Sequence, residues 1–344
     1  MHDQQLNHQE TTAPAPADHM RPFLALRALR ALRALRQLSI CVLAMGVIVA
    51  CGGGGPGASS SVAATPAAGP STAGVLCDYS SSVFNSSPSV NATATAAWTC
   101  SASKRVLSGN GLPDHPVGTF PNSGNPNPIA AQSVSFSGPL SPALGAAAVF
   151  LNGPLGTGYV LNGVKMEAGT GGMATCNNSG STCTLTGNVG PWAIEALGQT
   201  VFNFGLDVSN GHVQPGGAYH YHGVPKGFVD RLGKGASMTL IGWAVDGFPI
   251  YARYGHSTPG DASSPLKLVS SSYRLKAAPD ANRPATALFP MGTFLQDYEY
   301  VAGLGDLDEC NGRTGVTPEF PNGIYHYYAT DTYPFLQRCV KGKL

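Results

Sequence analysis

Beyond Cys51 the chain never sustains an apolar pattern of helical period. Short apolar or β-branched runs are cut by Gly, Pro, Asn and Ser, as in VSFSG from Val134, YVLNGVKME from Tyr159, TVFNFGL from Thr200 and SMTLIGWAV from Ser237. A helix needs apolar residues recurring every three or four positions over about ten residues, whereas a strand needs only a short alternating or apolar run. This texture predicts an all-β domain, a sandwich or barrel-like fold with long Gly/Pro-rich loops and few short helices. Asp246-Gly247, set between LIGWAV and FPIYARYG, predicts a hairpin with a two-residue turn.

The N-terminus reads as a targeting segment. Arg21, Arg27, Arg30, Arg33 and Arg36 precede the apolar run Leu38 to Ala50, which has signal-peptide length and is short for a membrane span. Ile48-Val49-Ala50-Cys51 resembles the lipobox of bacterial lipoproteins, which implies that Cys51 is lipidated and becomes the mature N-terminus. Gly52, rather than Asp, follows it, and this favours the outer membrane. The polar stretch before Met20 is unlike a secretory start, so translation is expected to begin at Met20. The expected organisation is a signal peptide over residues 1–50, lipidated Cys51 with a flexible Gly/Ala/Ser/Thr/Pro linker over 51–75, a small leading segment over 76–130 and a β-rich domain over 131–344. The strands of 76–130 form either a subdomain or part of the main sheet.

Removing the five arginines of the leader from 20 basic residues leaves 15, and removing Asp3, Glu10 and Asp18 from 19 acids leaves 16. A near-neutral chain has no electrostatic footprint for nucleic acid and no polybasic membrane patch. Contact with the membrane therefore rests on the lipid at Cys51. Of eight cysteines, Cys41 leaves with the signal and Cys51 carries lipid. Cys77, Cys100, Cys176, Cys183, Cys310 and Cys339 remain, an even set that in an oxidising compartment reads as three disulfides. Closeness along the chain favours Cys77–Cys100, Cys176–Cys183 and Cys310–Cys339, although spacing alone leaves other pairings open.

Two stretches echo each other. Residues 207–222 read DVSNGHVQPGGAYHYH and residues 308–328 read DECNGRTGVTPEFPNGIYHYY. Both carry Asp-x-x-Asn-Gly and then Tyr-His-Tyr, as two related loop-strand units of one sheet system would. In an extended Tyr219-His220-Tyr221-His222 the two histidines share one face and the tyrosines the other. Imidazole suits copper, zinc and iron. The expected metal set is His220 and His222, joined by His212 upstream, His326 from the echo unit and Asp246 as a ligand or an orienting group. His115 and His256 lie in Pro/Gly-rich loops and are expected to be solvated.

From about Leu151 to the C-terminus the chain resembles the YHYH-domain family of bacterial secreted proteins and lipoproteins. The resemblance is carried by NGHVQPGGAYHYHGVP (Asn210–Pro225), GWAVDGFPIYARYG (Gly242–Gly255), and LDECNGRTG with NGIYHYYATDTYPFLQRC (Leu307–Cys339). It implies an exported domain and brings no activity with it. His220 and His222 match the naming motif.

Other readings compete. Gly305 to Gly312 places several oxygen ligands in one loop, but its spacing departs from the EF-hand pattern, so calcium is the weaker ion and a self-bonded turn the better reading. No GxSxG elbow, P-loop, HExxH helix or strand-linked GxGxxG is present, so no enzyme class is assigned. A metal-dependent hydrolase or oxidase at the same histidines would need a general base that the sequence does not identify. A surface adhesion or glycan-binding module would use Trp243, Phe248, Tyr251 and Tyr254 as an aromatic platform.

Overall fold

The computed structural model describes residues 76–151, 156–168, 170–177, 182–185 and 190–344. The signal peptide expected over 1–50, the expected lipidation site Cys51 and the linker expected over 51–75 lie outside these residues. Within them the chain is all-β, with one short α-helix, Lys226–Leu232, which ends at Gly233 in the left-handed conformation (φ 64°).

An eight-stranded sheet organises the fold. Its order is Gly211–Val213, Tyr219–Tyr221, Lys165–Met166, Gly158–Val160, Thr239–Ala244, Pro249–Ala252, Ile324–Ala329 and Gly312–Gly315. The two halves are copies. In each, a hairpin (158–160 with 165–166, or 239–244 with 249–252) pairs in parallel with a Tyr-His-Tyr strand, which pairs antiparallel with an Asn-Gly strand at the sheet edge. The halves meet where Tyr159 lies opposite Trp243, with Gly158 opposite Ala244 and Val160 opposite Gly242, the register expected about a two-fold axis. The echoing units thus occupy opposite edges of one sheet.

The hairpin turns match as well. Gly163 donates its N–H to Val160 and Gly247 to Ala244, while Val160 and Ala244 donate to Val164 and Phe248. Each loop therefore has three residues rather than the expected two, ending in a glycine at φ 83° or 88°. A type I turn closed by a left-handed residue needs glycine there, so Asp246-Gly247 is a bulged turn, not a two-residue one.

A four-stranded antiparallel meander, Tyr79–Asn85, Ala92–Cys100, Lys104–Gly109 and Val134–Pro139, packs on the same core. Tyr79, Trp98 and Leu107 share one buried cluster with Leu161, Met166, Trp243 and Tyr327, and Trp98 Nε1 donates to Leu161 O at 3.0 Å. The Arg105 guanidinium lies 3.3 Å above the Trp243 ring centre. A second small cluster gathers Ala174, Ile194, Phe204, Phe289 and Phe294. It also explains why TVFNFGL is not a strand: Phe202 stacks on both Phe204 and Phe289, and the side-chain oxygens of Gln199 and Asn203 accept from the Phe202 and Gly205 amides, which bends the chain locally.

The disulfides are Cys77–Cys100, Cys176–Cys183 and Cys310–Cys339, the set that closeness along the chain favours. Three of the four proposed platform aromatics, Trp243, Phe248 and Tyr251, are core residues at 3% exposure or less. They present no surface for a glycan.

Candidate metal centre

The hairpin of Gly211–Val213 with Tyr219–Tyr221 sets His212 directly opposite His220. Its loop closes through Gln214 N–H to Ala218 O and Gly217 N–H to Gln214 O. His222, one residue past the strand, donates its N–H to Asn210 O at 2.8 Å, which keeps it extended and on the face of His220. Tyr219 and Tyr221 turn to the opposite face, where the Tyr219 hydroxyl donates to Asp207 and Tyr221 stacks against His115.

On the histidine face the three Nε2 atoms converge. His222 Nε2 lies 3.0 Å from His220 Nε2 and 3.0 Å from His212 Nε2, and one ligand atom from each residue falls within 4.8 Å of the others. The residues are 7%, 1% and 2% exposed for His212, His220 and His222. His212 Nδ1 donates to Phe204 O at 2.9 Å and His220 Nδ1 to Ala218 O at 3.3 Å. These carbonyls fix the tautomers, so both Nε2 atoms carry bare lone pairs aimed at His222 Nε2.

The three rings cannot fully satisfy one another. His222 Nε2–H can donate to only one of its two neighbours, leaving another nitrogen lone pair facing it at the same distance. Adding a proton is opposed by burial, which pushes His220 and His222 well below the ordinary imidazole range and lowers His212. Neutral imidazoles sharing one point are the form that ligates a metal, and a cation there would accept all three lone pairs. His222 Nδ1 has no hydrogen-bond partner among the described residues.

Glu167 borders the triad, a residue that sequence reasoning missed. Its Oε2 lies 3.9 Å from His220 Nε2 and 2.7 Å from both Lys165 Nζ and Gln214 Nε2. Burial raises its pKa, against the pull of Lys165. The signal for it was the duplication: Glu167 follows the first hairpin at the place of Tyr251 in the second, a correspondence visible only once the hairpins are aligned.

The remaining expected ligands lie elsewhere. His326 is on the strand near the far edge, five strand spacings away, or about 24 Å at roughly 4.8 Å per strand. Its Nδ1 donates to Ile324 O and its Nε2 accepts from the Tyr328 hydroxyl. Asp246 accepts from the Tyr327 hydroxyl and from Gly342 N–H, as Asn162 in the other copy bonds the Tyr221 hydroxyl. Neither joins the triad; both hold their own half of the sheet together. His115 is buried rather than solvated, with Nδ1 donating to Pro116 O and Nε2 accepting from Tyr221 at 2.6 Å. His256 is half-buried and its ring bonds Ser264 O. In the acidic loop, Asp306 bonds Ser270 and Lys267, Asp308 bonds Tyr325 and two amides, and Glu309 pairs with Lys341. Those oxygens serve the fold, as a self-bonded turn would.

The fold and this face together define a class: disulfide-stapled all-β domains with a buried histidine cluster at the edge of a duplicated sheet. Residues 135–342 match the family model described as YHYH protein, and the chain belongs to that family. No curated protein and no solved structure matches it.

Proposed function

We propose that this chain is an envelope lipoprotein whose YHYH domain binds one transition-metal ion through His212, His220 and His222. One observation carries the reading: three buried Nε2 atoms converge, with His212 and His220 in tautomers whose two lone pairs face a single His222 nitrogen that can donate to only one of them. Three imidazoles favour zinc or copper, with iron the weaker candidate. The decisive measurement is elemental analysis of tag-free protein alongside the His220→Ala/His222→Ala variant. A metal present in the first and lost in the second supports the proposal; metal absent from both, or unchanged between them, defeats it.

Membrane attachment through Cys51 is supported by the Val49-Ala50-Cys51 motif behind an arginine-rich apolar leader and by the linker that follows. Cys51→Ser should move the protein from the membrane fraction to the soluble one. A variant still sedimenting with membranes would refute lipid anchoring.

One observation favours a catalytic use of the same ion. Three protein ligands leave a coordination position open, and Glu167 is a buried carboxylate beside His220 that is suited to hold a metal-bound water. Glu167→Gln should retain the metal and abolish any hydrolytic or oxidative turnover. Turnover unaffected by that change would remove the catalytic reading and leave metal binding intact.

A further inference from the structure

The far edge of the sheet repeats the backbone of the metal centre in detail. Asp207 accepts from the Tyr219 hydroxyl at 2.8 Å and Asp308 from the Tyr325 hydroxyl at 2.9 Å. Asn210 and Asn311 both take left-handed backbone, at φ 61° and 57°. Their carbonyls accept the amides of His222 and Tyr328 at 2.8 and 2.9 Å. The Nδ1 atoms of His220 and His326 each donate to the carbonyl two residues before.

The side chains on the histidine face differ. Where His212 faces His220, Arg313 faces His326. Tyr328 stands in the place of His222 and Tyr251 in that of Glu167. Arg313 is 8% exposed and no carboxylate pairs with it among the described residues. Its Nη2 donates to His256 O at 2.7 Å and to the Tyr328 hydroxyl at 3.3 Å, while its Nε has no partner. The guanidinium carbon also lies 5.3 Å from the Tyr328 ring centre. A buried cation is costly unless its surroundings act as ligands, and these are an oxygen set and a π face, with His326 joined through Tyr328.

We propose that the far edge is a converted metal site in which the Arg313 guanidinium is the resident cation, so that restoring histidine at positions 313 and 328 creates a second transition-metal site. The proposal takes its template from the metal reading of the first edge, and metal stoichiometry separates the two. The tag-free full chain and its Arg313→His/Tyr328→His variant are equilibrated with zinc(II), desalted and analysed for zinc per chain. The expected result is one ion in the wild type and two in the variant. A variant with an unchanged circular dichroism spectrum and no additional zinc overturns the inference. No zinc in the wild type with one ion in the variant would refute the function proposed above and leave this inference standing.

Should the double variant fail to fold, Arg313→Met tests the same idea by removing the cation. Amide exchange across Ile324–Ala329 should then quicken about tenfold relative to Tyr219–Tyr221, with zinc content unchanged. Protection unaltered at the far edge would show that the guanidinium does not hold that cluster together, and would overturn the proposal.

Discussion

Occupying the histidine triad must stabilise the fold, and the expected size follows from its geometry. The ligand atoms are already assembled, with Nε2 separations of 3.0 Å about His222, and the unfolded chain has no comparable site. An ion that binds only the folded state contributes about 2.7 kcal/mol when its free concentration is a hundred times Kd. For a domain of this size each kcal/mol moves Tm by about 2–4 °C, so zinc(II) or copper(II) should raise the melting point by about 5–11 °C. His222→Ala removes the ring that contacts both others. If a structural site holds its ion with about 10–16 kcal/mol shared over four ligands, losing one costs about 3 kcal/mol, or roughly a hundredfold in affinity. Scanning calorimetry of chelator-treated protein, titrated with each ion, reads both effects. Equal shifts in wild type and His222→Ala, or none in either, would show that the converging nitrogens are not an ion site.

Further outcomes follow from the same structure. Burial keeps His212, His220 and His222 neutral and holds His326 down to about 4, whereas unfolded imidazoles take up protons below about pH 6.5. The unfolded state therefore binds more protons as pH falls, and ion-free stability should drop below about pH 6.5, with His326 contributing about 1.4 kcal/mol per pH unit down to about 4 and the three triad imidazoles adding in the same direction, and little change above pH 7; urea titrations that are flat across that interval would contradict it. Arg338→Met strands the fully buried Glu195 carboxylate, 2.9 Å from Arg338 in the native pair, and should cost about 3–5 kcal/mol by the same titration. Gly242→Ala at the junction of the two halves should destabilise by at least about 2 kcal/mol, because its Cβ would stand 2.2 Å from Tyr159 O; an unchanged Tm would argue against the tight register there. Opening Cys310–Cys339, which closes a separation of 29 residues, should cost about 3–4 kcal/mol, against about 2 for Cys176–Cys183 at a separation of seven, as paired cysteine-to-serine variants would report.

Local chemistry accounts for what was legible before any coordinates. Short β-branched runs between turn residues specify strands wherever their neighbours lie, so the all-β class followed from residue order alone. Alternation along an extended chain put His220 and His222 on one face, and the short Gln-Pro-Gly-Gly loop returned His212 to them, because all three belong to a single hairpin. The three disulfides likewise join cysteines that are near in sequence. Even the duplication was visible as Asp-x-x-Asn-Gly followed by Tyr-His-Tyr.

What required the tertiary structure was everything set by pairing between distant segments. Likeness in sequence suggested that His326 would join its counterpart, but a two-fold arrangement places equivalent residues at opposite edges, so the resemblance that linked them is what keeps them apart. Asp246 was drawn by its tyrosine neighbour into the scaffold, as Asn162 is in the other half. Glu167 reaches the triad only because Lys165–Met166 pairs in parallel with a strand more than fifty residues later, a register that no local pattern encodes. Residue order determines which face each side chain takes along its own strand; which strands become neighbours is decided by burial of both faces of the assembled sheet, a property of the whole chain.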